Sequence, residues 1–428
     1  MIKIYRAGEI AREEILKRNN LPDLKKAEEA ACEIIAEVRS RGDEALKYYT
    51  EKFDGAVITD IRVSEAEIDE AYRNADEYFI ETLRQAAANI REFHEKQKRE
   101  GFSYTRPDGT RLGQRILPIG RAGVYVPGGT AAYPSTVLMD VIPAVVAGVK
   151  EIAMTTPPGA DGKIKPEILV AAKIAGVSEI YKAGGAQAIA ALAYGTESIK
   201  RVDKIVGPGN AFVAAAKKAV SGEVGIDMFA GPSEILIIAD GKANPDHLAA
   251  DMLSQAEHDK MASAVLVTTS EKVAEKTAEL IEKRLRELPR EETARASIEN
   301  NGKIIVVKSL VEATEISDAL APEHLEIVTF DPESVLDGVR NAGSVFLGDY
   351  SPEPVGDYFA GPNHTLPTSG TARFSSPLGV DDFVKRSSFI KYSREALAKN
   401  GARIADFAER EGLSAHARSV TARTEESL

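Results

Sequence analysis

The first hundred residues carry helical periodicity. In KAEEAACEIIAEVRS, DEALKYYTEKFD and AEIDEAYRNADEYFIETLRQAAANIREFHEKQKRE, apolar positions recur at helical spacing among Glu and Lys. ITDIRVS predicts one short strand among these helices. From about residue 119 short apolar runs alternate with helical ones. GRAGVYVPGG, KEIAMTTPP, SEIYKAGG, DKIVGPG and SEILIIAD predict strands. STVLMDVIPAVVAGV, PEILVAAKIAG, AQAIAALAYG and NAFVAAAKKAVSG predict the intervening helices, the first kinked at Pro143. A second run follows, with helices over 245–257, 271–288, 310–320 and 332–341 and strands at SAVLVTTS, GKIIVVKS, LEIVTF and GSVFLG. Strand–helix alternation at this spacing implies parallel sheets covered on both faces.

The expected fold is therefore α/β, with two doubly wound, incomplete Rossmann-like domains. A helical N-terminal segment, lacking a sheet of its own, is expected to pack on the second domain. A small helical C-terminal arm, too short to form a core, must dock elsewhere. The boundaries read as an arm at 1–22, a discontinuous domain at 23–124 plus 236–375, a domain at 125–235, and the arm at 376–428. The discontinuity follows from the order of elements together with the resemblance described below. Residues 350–380, YSPEPVGDYFAGPNHTLPTSGTARFSSPLGV, read as a long loop whose Asp, Tyr, His and Arg favour function.

Composition narrows the classes. A chain of 428 residues suggests two or three domains. A net charge of −12 argues against nucleic acid and anionic membranes as partners. The N-terminus lacks the apolar core of a secretory signal and is too acidic for a typical transit peptide, and no run is long and apolar enough to span a membrane. One cysteine, Cys32, excludes an intrachain disulfide. The expectation is a soluble cytoplasmic protein.

Chemistry concentrates in two kinds of place. VPGG (126–129), KAGG (182–185) and VGPGN (206–210) lie where strands end and helices begin. Such turns suit a nucleotide and equally suit any α/β fold; none is G-x-G-x-x-G, and no acidic residue stands at the spacing that takes a ribose. Six histidines are sparse for this length. His94 and His247 read as structural or solvated. His258, His324, His364 and His416 fall at element ends or in the long loop, three of them near carboxylates. That setting suits zinc or general acid–base work, and each His alone also suits a structural role. If the helix over 245–257 continues, Gln255 and His258 share a face, either as neighbouring ligands or as polar groups facing water.

These motifs carry a resemblance. GRAGVYVPGG, GGAQAIAALAYGTE, VGPGNAFVAAAKKAV, GIDMFAGPSEILIIAD, LSQAEHD, APEHLEI, GPNHTLPTSGTARF and EGLSAHARSV resemble histidinol dehydrogenases, in that family's order and spacing over about residues 20–420. The resemblance implies a zinc-dependent homodimer, one Zn2+ per subunit, that oxidises L-histidinol to L-histidine at the end of histidine biosynthesis. Two NAD+-dependent steps pass through a bound aldehyde. Carried over residue by residue, it implies zinc ligands at Gln255, His258, Asp357 and His416, the last from the partner subunit through an exchanged C-terminal arm. It implies a catalytic pair at Glu323 and His324. Substrate contacts fall at Ser233, His364 and Glu411, together with His324 and the metal ligands, and NAD+ contacts at Tyr125, Gln187 and Asn210. No position departs from the pattern. The resemblance places zinc and the catalytic pair in the discontinuous domain and NAD+ in 125–235.

Two points come from the residues themselves. Cys32 lies far from every motif, so aldehyde oxidation by a thiol is implausible and water must add instead. Glu323 is then the natural base for that water, and His324 for the hydroxyl. Two rival readings remain at this stage: a zinc hydrolase with an open metal position, and a metal-stabilised scaffold with a structural nucleotide.

Overall fold

The computed structural model describes residues 2–9, 11–18, 25–128 and 132–425. Gly129 of the first Gly-rich turn and residues 19–24, where the N-terminal arm was expected to end, lie outside them. In chain order the elements begin with β1 (Lys3–Arg6), α1 (Arg12–Leu16), α2 (Lys25–Arg41), α3 (Asp43–Asp54), α4 (Glu65–Asn74) and α5 (Glu77–Glu95). Next come β2 (Phe102–Thr105), β3 (Arg111–Pro118), β4 (Arg121–Tyr125), α6 (Pro134–Ala147), β5 (Glu151–Thr156), α7 (Pro166–Ala175), β6 (Glu179–Lys182) and α8 (Gly185–Tyr194). β7 (Lys204–Val206), α9 (Ala211–Val220), β8 (Gly225–Ile226), β9 (Glu234–Ala239), α10 (Pro245–Ala256), β10 (Ser263–Thr268), α11 (Glu271–Leu285) and α12 (Glu291–Asn301) follow. The chain continues through β11 (Lys303–Val306), α13 (Leu310–Leu320), β12 (His324–Val328), α14 (Pro332–Leu336), β13 (Ser344–Leu347) and α15 (Glu353–Tyr358). It closes with β14 (Val384–Lys391), α16 (Arg394–Arg410) and α17 (Ser414–Glu425).

Two compact units result. The first comprises residues 1–97 and 120–383, the second residues 98–119 and 384–428. The first unit holds two parallel sheets, ordered β6-β5-β4-β7-β8 and β1-β11-β10-β9-β12-β13. Leaving aside the edge strand β1, both follow the same path: the first strand of each run lies centrally, the next two step one way and the last two the other. The doubly wound expectation therefore holds for both.

The packing of the N-terminal helices differs from expectation. Ala27, Ala31, Ile34, Ile35 and Val38 repeat at helical spacing on α2 and are buried. They share one core with Ala45 and Leu46 of α3, Ala186 to Ala193 around α8, and Val213, Ala216 and Val220 of α9. α4 and α5 pack on α7 and α6. These helices thus cover the five-stranded sheet, and residues 25–95 pack with the expected cofactor domain instead of the second one. The physical reason is supply: the alanine-rich α8 and α9 leave a shallow apolar face that the stripe of α2 fills. Only β1 and α1 join the six-stranded sheet, β1 pairing in parallel with β11 and Ile15 entering its core. ITDIRVS makes a single bridge, Arg62 to Tyr181, instead of a strand.

In the second unit β2, β3 and β14 form an antiparallel sheet in which Val384 stands opposite Pro118 and Lys391 opposite Arg111. α16 and α17 pack on each other. The C-terminal segment is accordingly not all helical: 376–383 belong to the first unit, and a strand opens the second. Phe102, Tyr104, Ile390, Ile404, Phe407 and Leu413 are exposed on this unit.

Candidate active site

Strands β9 and β12 lie side by side at the centre of the six-stranded sheet, with His324 opposite Ile235. Leu325 and Ile327 point into the core shared with α13. Alternation turns His324 and Glu326 to the other face, which Leu248, Met252 and Leu253 of α10 help cover. The turn into β12 starts at Ala321, whose φ of 48° places a non-glycine residue in the left-handed region after α13. Pro322 follows, then Glu323 and His324, both buried. The pair therefore sits at the N-terminal edge of this parallel sheet, opposite to the edge where α/β sheets usually hold ligands.

One residue's main chain holds both. The Glu234 N–H donates to Glu323 Oε2 at 2.8 Å. His324 Nδ1 lies 3.1 Å from the Glu234 carbonyl oxygen. With Nδ1 turned to that carbonyl, Nε2 faces the site, buried without a hydrogen-bond partner among the described residues. Around it stand Asp357 Oδ1 at 3.7 Å and Glu353 Oε1 at 3.9 Å. Burial opposes a proton on His324, but Glu323 foremost, then Asp357 and Glu353, outweigh it and raise the imidazole to about 10. Burial raises Glu323 to about 7, against the pull of His324. Burial raises Glu353 to about 8, with Asp357 adding to the rise. Asp357 goes the other way, to about 2, because His324 outweighs its burial.

Asp357 and Glu353 are one turn apart on α15, so the stretch expected to be a long loop contains the helix that aims both carboxylates at His324. His324, Glu353 and Asp357 each place a ligand atom within 4.8 Å of the others, as a metal site would need. Gln255, at the end of α10, is buried with Oε1 unpartnered among the described residues. α10 stops at Ala256, and His258 lies in the turn beyond it, exposed, with its N–H bonded to the Gln255 carbonyl at 3.2 Å. The two are not on one helical face, but they are still held a turn apart. Although the residue as a whole is exposed, packing around its ring lowers His258, while Asp357 raises it and His324 lowers it further, so the three lie within electrostatic reach. Buried acceptors and excess carboxylate charge around one spot fit a divalent cation.

His364 Nδ1 lies 3.1 Å from the Asp357 carbonyl oxygen, and burial lowers its pKa. Its neighbours tie it to α6. Pro143 has no N–H for the Met139 carbonyl four residues back. Asn363 Nδ2 donates to that carbonyl instead, at 2.6 Å. The Thr365 hydroxyl donates to Asp140 Oδ1 at 2.7 Å. α6 runs unbroken from 134 to 147 with Pro143 inside it. The proline's effect is to free a carbonyl for the His364 loop. Ser233 is half-buried directly before β9.

Tyr125 ends β4, and Gln187 and Asn210 follow β6 and β7, so all three fall on the C-terminal side of the five-stranded sheet. The Gly185 N–H donates to the buried Tyr125 hydroxyl at 3.2 Å. Gly185 has φ 59°, and a Cβ there would stand 2.8 Å from Gln187 Oε1, which is buried and unpartnered among the described residues. α8 has no side-chain cap at its N-terminus, so the amides following Gly185 and the Gln187 oxygen fit a phosphate-bearing ligand with hydroxyl groups. Asn210 is exposed and caps α9. Glu411 and His416 lie in the second unit, at the end of α16 and in the first turn of α17, both exposed. His94 is buried, its Nδ1 2.8 Å from Gln97 Oε1, and His247 is exposed.

Sequence reasoning missed Glu353, Glu234 and Asp140. Glu353 stands four residues before Asp357, a spacing that signals a shared helix face once the helix is recognised. Nothing in the sequence marks the other two.

The histidinol dehydrogenase family model matches residues 17–424. A histidinol dehydrogenase of Geobacillus kaustophilus is 57% identical over 92% of this chain and 93% of its own. That of Bacillus subtilis is 57% identical over 91% of both. A crystal structure of histidinol dehydrogenase from Elizabethkingia anophelis superposes with a TM-score of 0.92 at 40% identity, covering 99% of this chain and 98% of its own.

Proposed function

Since the chain belongs to the histidinol dehydrogenase family, we propose that it oxidises L-histidinol to L-histidine through L-histidinaldehyde, with two NAD+ reduced. The observation that carries the reading is the Glu323–His324 pair, fixed by the main-chain N–H and carbonyl of Glu234, with His324 placing a ligand atom within 4.8 Å of those of Glu353 and Asp357. In the first step His324 Nε2 takes the hydroxyl proton as hydride leaves the same carbon for the cofactor. In the second, Glu323 takes a proton from the water that adds to the aldehyde, and the resulting gem-diol loses the second hydride. One water is consumed and four electrons leave. Cys32, the sole thiol, is exposed on α2 and serves neither step.

Gln255, His258 and Asp357 would hold zinc, with the partner subunit's His416 as fourth ligand. When bound, the metal would offset the carboxylate charge that keeps a proton on His324 and would orient the substrate's nitrogen atoms. Ser233, His364 and the partner subunit's Glu411 would hold the rest of the substrate. Tyr125, Gln187 and Asn210 would hold NAD+. Support for an exchanged arm comes from the second unit, which exposes Phe102, Ile390 and Phe407 and carries two polar residues matched to the site. A working homodimer in the cytoplasm completes the reading. Among the described residues no helix is long and apolar enough to cross a membrane.

The test is NADH formed per L-histidinol consumed, in protein as purified, after chelation, and after zinc is restored. Two NADH per histidinol, abolished by chelator and recovered with zinc, is the expected result. One NADH would remove Glu323 from its role, and none with zinc bound would overturn the dehydrogenase reading in favour of a hydrolase.

A further inference from the structure

We propose that Arg18 is a positioning residue for the Glu323–His324 pair, acting through Glu234. The inference rests on the reading of that pair as the reacting groups. Because the Glu234 main chain fixes both of them, whatever fixes Glu234 fixes the chemistry. Its side chain is buried and pinned by Arg18, whose Nε and Nη2 donate to the two carboxylate oxygens at 2.8 and 3.1 Å. This forked pairing defines both distance and angle, as a lysine could not.

Arg18 Nη2 also donates to the carbonyl oxygen of Leu320 at 2.5 Å. Leu320 ends α13, three residues before Glu323. The guanidinium therefore grips both approaches to the pair: the start of β9, which carries Glu234, and the helix end that leads into Pro322 and Glu323. A third segment turns the Ser369 N–H towards the same carboxylate, opposing the rise that burial causes in it. Ala321 and Ser369 are the two non-glycine residues with positive φ, at 48° and 56°, among the described residues. Both adjoin this clamp, and backbone of that kind persists only where the surroundings over-determine it.

The position of Arg18 is itself fixed. The buried Lys303 ammonium donates to the carbonyls of Ile15 at 2.9 Å and Lys17 at 2.7 Å, closing the end of α1. The N-terminal segment thus delivers one guanidinium to the back of the catalytic strands. It lies behind Glu234 and takes no part in holding substrate. Its loss should reduce turnover and leave substrate affinity nearly intact, because the substrate's contacts come from other residues.

The test is Arg18→Ala in the full-length, zinc-loaded enzyme, with kcat and KM for L-histidinol measured separately. We expect kcat to fall between about tenfold and a hundredfold, the cost of a small misplacement of reacting groups, with KM within about twofold. Methylguanidinium, which fits the vacated space and pairs with Glu234, should restore part of the lost kcat. A kcat within about twofold of wild type, a loss seen only in KM, or no response to methylguanidinium overturns the proposal. Should Arg18→Ala not fold, Arg18→Lys is read by the same split, and a kcat equal to wild type overturns it. Wild-type enzyme that forms no NADH from L-histidinol refutes the underlying reading instead, and so the two failures are distinct.

Discussion

Asp140→Asn should stabilise the protein by an amount that grows as pH rises from mildly acidic to mildly alkaline. Asp140 is fully buried on α6, and burial lifts its carboxyl from 3.8 to about 8; the Thr365 hydroxyl pulls it down and Asp227 adds to the rise. Between those two values the folded protein holds a proton on Asp140 and the unfolded chain does not. Folding then takes up one proton, so stability falls with rising pH at about 1.4 kcal/mol per unit. Below the unfolded value both states are protonated and nothing is lost; above the folded value both are ionised and the loss is complete. From about pH 5.5 to about pH 7.5 the wild type should therefore lose roughly 2.5 kcal/mol through this one group. Asn keeps an oxygen to accept from Thr365 and carries no charge at any pH. Subtracting variant from wild type cancels the titrating groups that do not interact with Asp140, leaving only its coupling to Asp227 and Lys217 beside its own titration. Thermal melts of both proteins at the two pH values are the assay. At about 2 °C per kcal/mol in a unit this large, the gap between them should widen by roughly 5 °C. Parallel melting curves would refute the reasoning, by showing that Asp140 is ionised in the folded state or reached by water.

Two further outcomes follow from the site. Glu323→Gln should retain alcohol oxidation and stall on the aldehyde, so NADH per histidinol falls from two towards one and overall turnover drops by about a hundredfold or more; a retained stoichiometry of two at normal rate would assign the water to another base. Mixing His258→Ala chains with His416→Ala chains should restore activity, since each mixed dimer with exchanged arms contains one intact site of two; no recovery after verified subunit exchange would count against the swap.

Periodicity made both parallel sheets legible, because βαβ alternation leaves a long and regular trace. It could not say where α2 packs, since an amphipathic stripe records that a helix is covered and not by what. α12 went unread because its charged surface buries only a few small residues, and α15 because Pro352 and Pro354 make its six residues look like a loop. Whether the helix over 245–257 continues to His258 stays open in the sequence, because no glycine or proline marks the stop; α10 ends at Ala256. His324 and Glu323 could be singled out through motif resemblance, yet their shared dependence on Glu234 is invisible in sequence: it passes through main-chain atoms that every residue possesses. Arg18, more than two hundred residues away along the chain, leaves no local signal at all.

The two sheets wind alike, but the proposed sites lie at opposite ends, at the strand C-termini of the five-stranded sheet and at the strand N-termini of the six-stranded one. On that reading constraint on the two halves is inverted. In the first, mutation should be tolerated least where strands run out into Gly-rich turns, and in the second where loops run into strands. A residue-by-residue superposition of one half on the other would align functional positions with silent ones. Descent from a common ancestral half, if it occurred, would have erased its record fastest at the places that now do the chemistry.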